Sequence, residues 1–310
     1  MENNITTHHF ASLRHHTDHE FGKNNSGKDY GFQEELPYTI ALCVVNLFLS
    51  CTALIGNVLI ILTIWKTSSL HTASNILLVN LAVSDLAVGL VGHPLFVSAL
   101  LVGMSSFSRK FWEAFSILTS FLCGASFFTI TAIGVDRLLA LKLHLRYQAL
   151  VTPCRIIWVI ISIWAVSGIL STIRLWTPEL SYNALSPFIF TLLVGNSAVY
   201  LKIYFIVRRH LLQIRRQVHG RMHTDGNIFS MQRFKRSALN TFLVYILMLF
   251  CYLPYSVVLE RFYSGISISN VARHVTITIV LLNSTLNPLL YCWRVREIRA
   301  ATKELFCHYL

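Results

Sequence analysis

A single carboxylate, Asp85, stands in the middle of a long apolar stretch, Leu81-Ala82-Val83-Ser84-Asp85-Leu86. Ionisable side chains are costly inside a membrane, and where they occur there they usually serve a function. Small polar side chains lie at a similar predicted depth in other apolar stretches: Asn57, Ser126, Asn283, Ser284 and Asn287. An acid among hydroxyls and amides can hold a sodium ion, a proton or a water cluster. The alternative is a polar cluster that only joins helices.

A pair of adjacent opposite charges, Asp136-Arg137, follows the apolar stretch 114–135. The acid can hold the arginine in one rotamer and release it on protonation. Anchoring at the membrane surface would explain an arginine but not the acid before it. Pro94, Pro254 and Pro288 lie within apolar stretches, where a proline removes a backbone donor and kinks a helix.

The elements that must position these residues are long runs without charged side chains. Of 310 residues, 54% are hydrophobic and 13% charged, whereas ordinary soluble domains are about 25% charged. A helix needs about 20 mostly apolar residues to cross a bilayer, and continuous runs favour helices over alternating barrel strands. The runs are 36–65, 67–108 (interrupted only by Asp85), 114–135, 156–173, 180–201, 237–259 and 274–293. Taking 67–108 as one helix and a loop, the sequence predicts an all-α, seven-transmembrane helix bundle.

The basic residues predict the orientation of this bundle. Of the 26 Lys and Arg residues, 18 lie in alternate connections, at Lys66 and within 137–155, 202–236 and 294–303. The side richer in Lys and Arg is cytoplasmic, so the N-terminus is expected outside the cell and the C-terminus inside. Because these basic residues flank the predicted membrane helices, the net charge of +12 does not indicate nucleic-acid binding.

The two ends of the chain are expected to lie outside the bundle of residues 36–293. Residues 1–35 are polar and are predicted to form a disordered extracellular tail, in which Asn4 and Asn24 begin glycosylation sequons. Residues 294–310 are predicted to form a cytoplasmic amphipathic helix and the C-terminus, with Cys307 as a palmitoylation site or a free thiol. No extracellular disulfide is expected.

Together these features resemble the rhodopsin-like (class A) G-protein-coupled receptors over residues 36–307. The motifs follow the family's order: Gly56-Asn57-Val58, Leu81-Ala82-Val83-Ser84-Asp85, Asp136-Arg137-Leu138, Trp164, Cys251-Tyr252-Leu253-Pro254 and Asn287-Pro288-Leu289-Leu290-Tyr291. The resemblance implies a multi-pass receptor of the plasma membrane that transmits the binding of an extracellular ligand to a heterotrimeric G protein.

The resemblance also implies roles for individual residues. The family's sodium pocket, which favours the inactive state, falls on Asp85, Ser126, Asn283, Ser284 and Asn287. The activation switches fall on Asp136, Arg137, Tyr200, Tyr252, Pro254, Pro288 and Tyr291. Arg137 would then be the central G-protein contact, with Leu145 docking beside it, and sodium would be an allosteric ion rather than a catalytic cofactor.

Several positions depart from the family's pattern. Tyr252 stands where tryptophan is usual, and Phe234 replaces the acid that pairs with the helix-three arginine. A weakened inactive-state lock implies raised basal activity. Trp112 stands where the usual disulfide cysteine would be, and the connection 175–184 is short, features that resemble the melanocortin branch. Other stretches, such as Val199-Tyr200-Leu201-Lys202-Ile203, resemble adenosine receptors, so the chain most resembles the melanocortin, adenosine, cannabinoid and lysolipid group.

The ligand is not identified by these motifs. Thr119 stands where amine receptors carry an aspartate, and Leu281 stands where opsins carry the retinal lysine. A small molecule, a lipid or a peptide remains open. The predicted pocket is apolar with a few polar points, as small-molecule sites tend to be, although ordinary helix packing explains any one of its residues equally well. It comprises His93, Thr119, Cys123, Tyr252, Tyr255, Ser256 and Ile277, with Glu260, Arg273 and His274 at its rim.

Three alternatives use the same residues differently. A membrane transporter or channel would use Asp85, but the sequence has one buried acid rather than a relay and no repeat between its halves. An intramembrane enzyme would need an acid dyad, a Ser–His pair or a metal cluster, so no enzymatic activity is expected. A receptor-like protein that pairs with another receptor without signalling would not need the Asp136-Arg137 pair.

Overall fold

The computed structural model describes residues 25–102, 109–143, 146–176, 178–218, 225–264, 266–294 and 296–309. These residues form helices, and no strand occurs among them. The helices are α1 (Asn25–Lys66), α2 (Ala73–Ala87), α3 (His93–Val102), α4 (Arg109–Leu143), α5 (Tyr147–Leu150), α6 (Pro153–Trp176), α7 (Pro178–Val218), α8 (Asp225–Tyr263), α9 (Asn270–Arg294) and α10 (Arg296–Tyr309).

Within the described ranges, seven helical spans are long and apolar enough to cross a membrane. They lie in α1, in α2 with α3, and in α4, α6, α7, α8 and α9. The span of α2 and α3 is 61% buried within the bundle, whereas those of α6 and α7 are each 22% buried. The predicted seven-helix fold is therefore confirmed, with α2, α3, α4 and α9 at its centre and α6 and α7 largely facing lipid.

The second membrane span contains a break between α2 and α3. Residues Val88–Gly92 form a π-helical turn directly before His93 and Pro94. Proline lacks a backbone N–H and clashes with the preceding turn, and a wider turn relieves that clash. The Ser50 hydroxyl of α1 donates a 2.7 Å hydrogen bond to the carbonyl of Gly89 in this turn, so one freed acceptor is satisfied from the neighbouring helix.

Two segment boundaries differ from the sequence prediction. Helix α1 begins at Asn25, so residues 25–35 continue the first membrane helix instead of belonging to a disordered tail. Elongating a formed helix costs far less than nucleating a new one, which lets polar residues extend it. Helix α6 ends at Trp176 and α7 begins at Pro178, so most of the predicted loop 175–184 is helical. Proline is favoured at the first position of a helix.

Helices α1 and α9 approach each other closely at Gly56. A Cβ atom added there would lie 2.8 Å from Cγ of Pro288, closer than van der Waals contact allows. Small residues let membrane helices pack at short distance, so glycine at this position permits the contact with the proline of α9.

We expect Gly56→Ala to lower the free energy of unfolding by about 1–3 kcal/mol, because overpacking forces shifts in the helices. The matched control is Gly195→Ala, since a Cβ at Gly195 meets nothing within 4 Å and alanine is the better helix former. Thermal unfolding of the purified protein in detergent measures both changes. An equal or greater stability of Gly56→Ala would contradict the close contact.

Candidate functional site

Asp85 is fully buried at the centre of the bundle, where three helices meet. Its Oδ1 accepts a 2.8 Å hydrogen bond from the Ser126 hydroxyl of α4, and its Oδ2 accepts one of 2.8 Å from Nδ2 of Asn287 in α9. Ser84 and Ser126 share a further hydrogen bond of 2.9 Å. The carboxylate therefore joins α2 to both α4 and α9.

Around this carboxylate, several buried polar atoms have no hydrogen-bond partner in the described part of the chain. They are both side-chain polar atoms of Asn283, Oδ1 of Asn287 and the hydroxyl of Tyr291. Asn57 completes the surroundings from α1, since its Nδ2 donates to the carbonyl of Ser284 at 3.1 Å. Unsatisfied buried polar atoms are rare in proteins and call for an explanation. Unpaired amide oxygens beside a carboxylate make a donor set of oxygens that suits a hard cation.

Near the C-terminal end of α4, two hydroxyl groups bind the carboxylate of Asp136. Ser74 of α2 donates to Oδ2 at 2.8 Å, and Tyr147 of the short helix α5 donates to Oδ1 at 2.6 Å. Nε of Arg137 lies 3.8 Å from Oδ2, at the outer limit of an ion pair. Burial and the bond to Asp136 raise the pKa of Tyr147 to about 12, so its phenol stays protonated and able to donate at neutral pH.

Tyr200 of α7 is completely buried against α4. Its hydroxyl donates a 2.8 Å bond to the carbonyl of Ile130, and its ring stacks on Tyr245 of α8 with centroids 4.3 Å apart. Tyr245 in turn shares a short hydrogen bond with the Ser197 hydroxyl. A Cβ atom at Gly134 would lie 2.8 Å from the Tyr200 ring, so glycine leaves room for it. These contacts hold Tyr200 in one position.

Three of the predicted cytoplasmic features lie outside what the structure describes. Leu145 falls outside the described residues, and the side chain of Phe234 in α8 is not described. The side chain of Cys307 in α10 is not described either. The two predicted glycosylation sites, Asn4 and Asn24, also lie outside the described residues. Their predicted roles stay predictions.

The structure divides the predicted ligand pocket into two parts. Tyr252 and Cys123 come together, because the Tyr252 hydroxyl donates a 3.0 Å bond to the Cys123 carbonyl. The Tyr252 ring also meets the edge of Phe127 at 5.7 Å. Ser256 is buried and bonds its own helix at the carbonyl of Leu253. The other residues of the predicted pocket apart from His93 are half-buried, namely Thr119, Tyr255 and Ile277.

His93 belongs instead to a polar network between α1, α3 and α9. Its Nδ1 lies 3.0 Å from Oδ1 of Asn46. Nδ2 of Asn46 in turn donates a hydrogen bond of 3.0 Å to the Thr278 hydroxyl. The Thr278 hydroxyl also bonds the carbonyl of His274 at 3.0 Å. His274, expected only at the rim, is buried and bonded through Nδ1 to the Tyr38 hydroxyl at 2.7 Å.

Sequence reasoning missed three residues that the geometry brings to these sites. Tyr147 holds Asp136, Tyr245 stacks on Tyr200, and Asn46 joins His93 to α9. Each is a polar or aromatic residue in or beside an apolar helix, a signal too common in membrane proteins to single out one residue. Their partners lie on other helices, so only the packed structure identifies them.

We expect Tyr147→Phe to lower the free energy of unfolding by about 1–3 kcal/mol, because it deprives the Asp136 carboxylate of a donor. Combined with Ser74→Ala, the loss should differ from the sum of the two single losses, since both hydroxyls serve one carboxylate. The control is Tyr204→Phe, whose side chain is 41% exposed. Thermal unfolding measures the four variants, and strict additivity would show that the two hydroxyls act independently.

Comparison with known proteins places this arrangement in context. Residues 56–291 match the family described as 7 transmembrane receptor (rhodopsin family). The chain is 27% identical over 290 residues to the histamine H2 receptor of Cavia porcellus, covering 87% of this chain and 80% of that one. It is 26% identical over 298 residues to adenosine receptor A2b of Gallus gallus, covering 83% and 85%. Adenosine receptor A3 of Ovis aries is 27% identical over 288 residues, covering 84% and 88%.

Proposed function

Because the chain belongs to the rhodopsin family of seven-transmembrane receptors, we propose that a small molecule bound between the outer halves of its helices drives the G-protein signalling of this receptor. The family and the likeness to adenosine receptors were both predicted, and both are confirmed. The likeness to the melanocortin branch stays a prediction. The proposed orientation has the N-terminus outside the cell, supported by the 18 Lys and Arg residues on the opposite face.

The observation that carries the mechanism is the position of Asp85 between α4 and α9. Because its two carboxylate oxygens bind Ser126 and Asn287 separately, α9 cannot move against α4 without changing a bond to one buried charge. A ligand that shifts α9 from outside therefore changes the same cluster. Below the cluster, α9 carries Tyr291, whose buried hydroxyl lacks a partner among the described residues and is free to form a new bond.

A sodium ion fits this cluster as an allosteric ligand. The residues that would hold it are Asp85, Ser126, Asn283, Ser284 and Asn287, which offer a carboxylate, hydroxyls and amide oxygens. Bound there, sodium would balance the buried charge and strengthen the joining of α2, α4 and α9. If the activating ligand favours a state in which these helices separate, sodium and ligand must oppose each other by linkage.

We expect sodium to raise the unfolding temperature of the wild-type receptor more than potassium does at equal ionic strength, which keeps screening constant. Asp85→Asn should abolish this difference, because the amide carries no charge to attract the ion. Asp136→Asn is the matched control and should keep the difference. An undiminished sodium effect in Asp85→Asn would show that sodium does not bind in this cluster.

At the cytoplasmic end, Arg137 is the proposed contact with the G protein, and Leu145 a second contact. Arg137 is 20% exposed and only loosely paired with Asp136, so this ion pair restrains the arginine side chain only weakly. Tyr200, by contrast, is fixed by Ile130 and Tyr245. Position 234 carries phenylalanine in place of an acid, and the Tyr200–Tyr245 stack that joins α7 to α8 is uncharged. We propose that basal activity is raised because no ion pair reinforces this contact.

Nucleotide exchange on a panel of purified heterotrimeric G proteins tests the function without a known ligand. Wild-type receptor in membranes should accelerate exchange, Tyr245→Leu should accelerate it several-fold further by releasing Tyr200, and Arg137→Ala should abolish it. Tyr204→Phe, which keeps the ring of an exposed tyrosine on the same helix as Tyr200 and removes only its hydroxyl, serves as the control and should match wild type.

The outcomes separate the parts of this proposal. A silent wild type with an active Tyr245→Leu variant would reject raised basal activity but keep the restraint. Full activity of Arg137→Ala would reject the proposed contact with the G protein.

A further inference from the structure

Five aromatic rings form a continuous outer cluster across four helices. His274 of α9 stacks on Tyr38 of α1, with centroids 6.2 Å apart, and meets Phe96 of α3 edge-on at 6.1 Å. Phe96 stacks on Phe115 of α4 at 5.9 Å, and Phe115 meets Trp112 edge-on at 5.7 Å. This outer cluster lies apart from the Tyr252–Cys123 contact, and neither Trp112 nor Tyr38 belongs to the pocket predicted from sequence.

Two buried ring nitrogens of the outer cluster have no hydrogen-bond partner among the described residues. They are Nε2 of His274 and Nε1 of Trp112. The Tyr38 hydroxyl lies 2.7 Å from Nδ1 of His274, and a phenol is a better donor than acceptor, so Nδ1 accepts and the proton of the neutral ring sits on Nε2. Indole nitrogen is a donor only. Both atoms are therefore N–H donors that lack an acceptor.

Leaving a buried donor unsatisfied costs about 1–3 kcal/mol. These two donors belong to the two ends of the row of ring contacts that runs from His274 through Phe96 and Phe115 to Trp112, so a ligand lying along these rings can offer an oxygen to either of them. The nearby charge points the same way, because the half-buried Arg273 precedes His274, its guanidinium bonded to Asn270 at 2.8 Å.

Among the acids whose side chains the structure describes, none is placed to bind a cationic ligand here, and Glu304 is exposed in α10. Glu113 and Glu260 are exposed, while the buried acids Asp85 and Asp136 are engaged at the centre and the cytoplasmic end of the bundle. Thr119, at the position where amine receptors carry an aspartate, has no charge to offer.

We propose that the outer cluster binds an aromatic ligand whose carboxylate or carbonyl oxygen accepts from the N–H group of His274 or of Trp112, with the ligand ring against the aromatic rings between them. This inference rests on the proposed receptor function, for which it names the class of ligand. A series of hydrogen bonds also leads from His274 to the residues deeper in the bundle. The His274 carbonyl accepts from Thr278, which accepts from Asn46, and Asn46 pairs with His93. An oxygen bound at His274 thus acts on α9, the helix that carries Asn287.

The test uses purified full-length receptor and three aromatic acids as probes: benzoate, 3-phenylpropanoate and indole-3-acetate. Each acid is paired with the amine of the same skeleton: benzylamine, 3-phenylpropylamine and tryptamine. We expect at least one acid to raise the unfolding temperature in a saturable manner and its amine partner to have no such effect. Aromatic skeletons are chosen because they can stack on the rings of the cluster.

Variants connect the effect to the two donors. Trp112→Phe or His274→Phe, whichever removes the donor that holds the oxygen, should weaken binding of the active acid about tenfold, the loss expected for one hydrogen bond to a charged group. His274→Gln, which keeps an amide N–H near the position of Nε2, should restore part of the affinity and also covers the case in which His274→Phe fails to fold. Trp158→Phe, at a side chain 65% exposed on α6, should bind like wild type.

Three results would overturn the proposal: no stabilisation by any acid, equal stabilisation by the amines, or wild-type affinity in both Trp112→Phe and His274→Phe. Basal nucleotide exchange, measured on the same preparations, is independent of the probes. Normal exchange with no acid binding would reject only the ligand class, whereas absent exchange with acid binding would reject the G-protein function and keep the site.

Discussion

The cost of burying one carboxylate in a membrane determines how the centre of this bundle is built. Asp85 is removed from water altogether, and a charge in such surroundings is tolerated only when hydrogen bonds compensate it. Ser126 and Asn287 supply those bonds from two different helices, so the packing of α2, α4 and α9 is fixed in register at this depth. Lipid tails are as apolar as leucine, so burial of apolar side chains does little to select one helix packing. Polar contacts of this kind select it instead.

The same requirement explains why the central helices carry irregular turns and small residues. The π-turn before Pro94 frees a carbonyl that Ser50 of α1 satisfies, and Gly56 lets α1 approach the proline of α9. At each point a backbone irregularity in one helix is compensated by a residue of the helix beside it. Irregular backbone at membrane depth is possible only with such compensation.

Sequence predicted the parts of this structure that follow from the membrane itself. Six runs without charge and one interrupted only by Asp85 form the seven spans, because a bilayer requires each crossing segment to satisfy its backbone hydrogen bonds internally. The sequence identifies Asp85 because a lone acid within an apolar run has no water to solvate it. The sequence did not predict that α1 begins at Asn25 or that α7 begins at Pro178, since helix ends outside the bilayer depend on small free-energy differences. Tyr245 and Tyr147 were missed for another reason. Their partners, Tyr200 and Asp136, are identified by helix packing rather than by spacing along the chain.

Helix α9 connects the outer cluster to Asp85 because it contributes to three polar clusters along its length. In chain order it supplies His274 to the aromatic cluster, Thr278 to the Asn46–His93 network and Asn287 to Asp85. The first two contacts join α9 to α1 and the third joins it to α2, so a displacement of α9 at one level changes the hydrogen bonds at the next. A buried polar group left without its partner costs about 1–3 kcal/mol, comparable to the coupling energies of allosteric proteins. Coupling between the two faces therefore needs no large movement, only an exchange of partners along one helix.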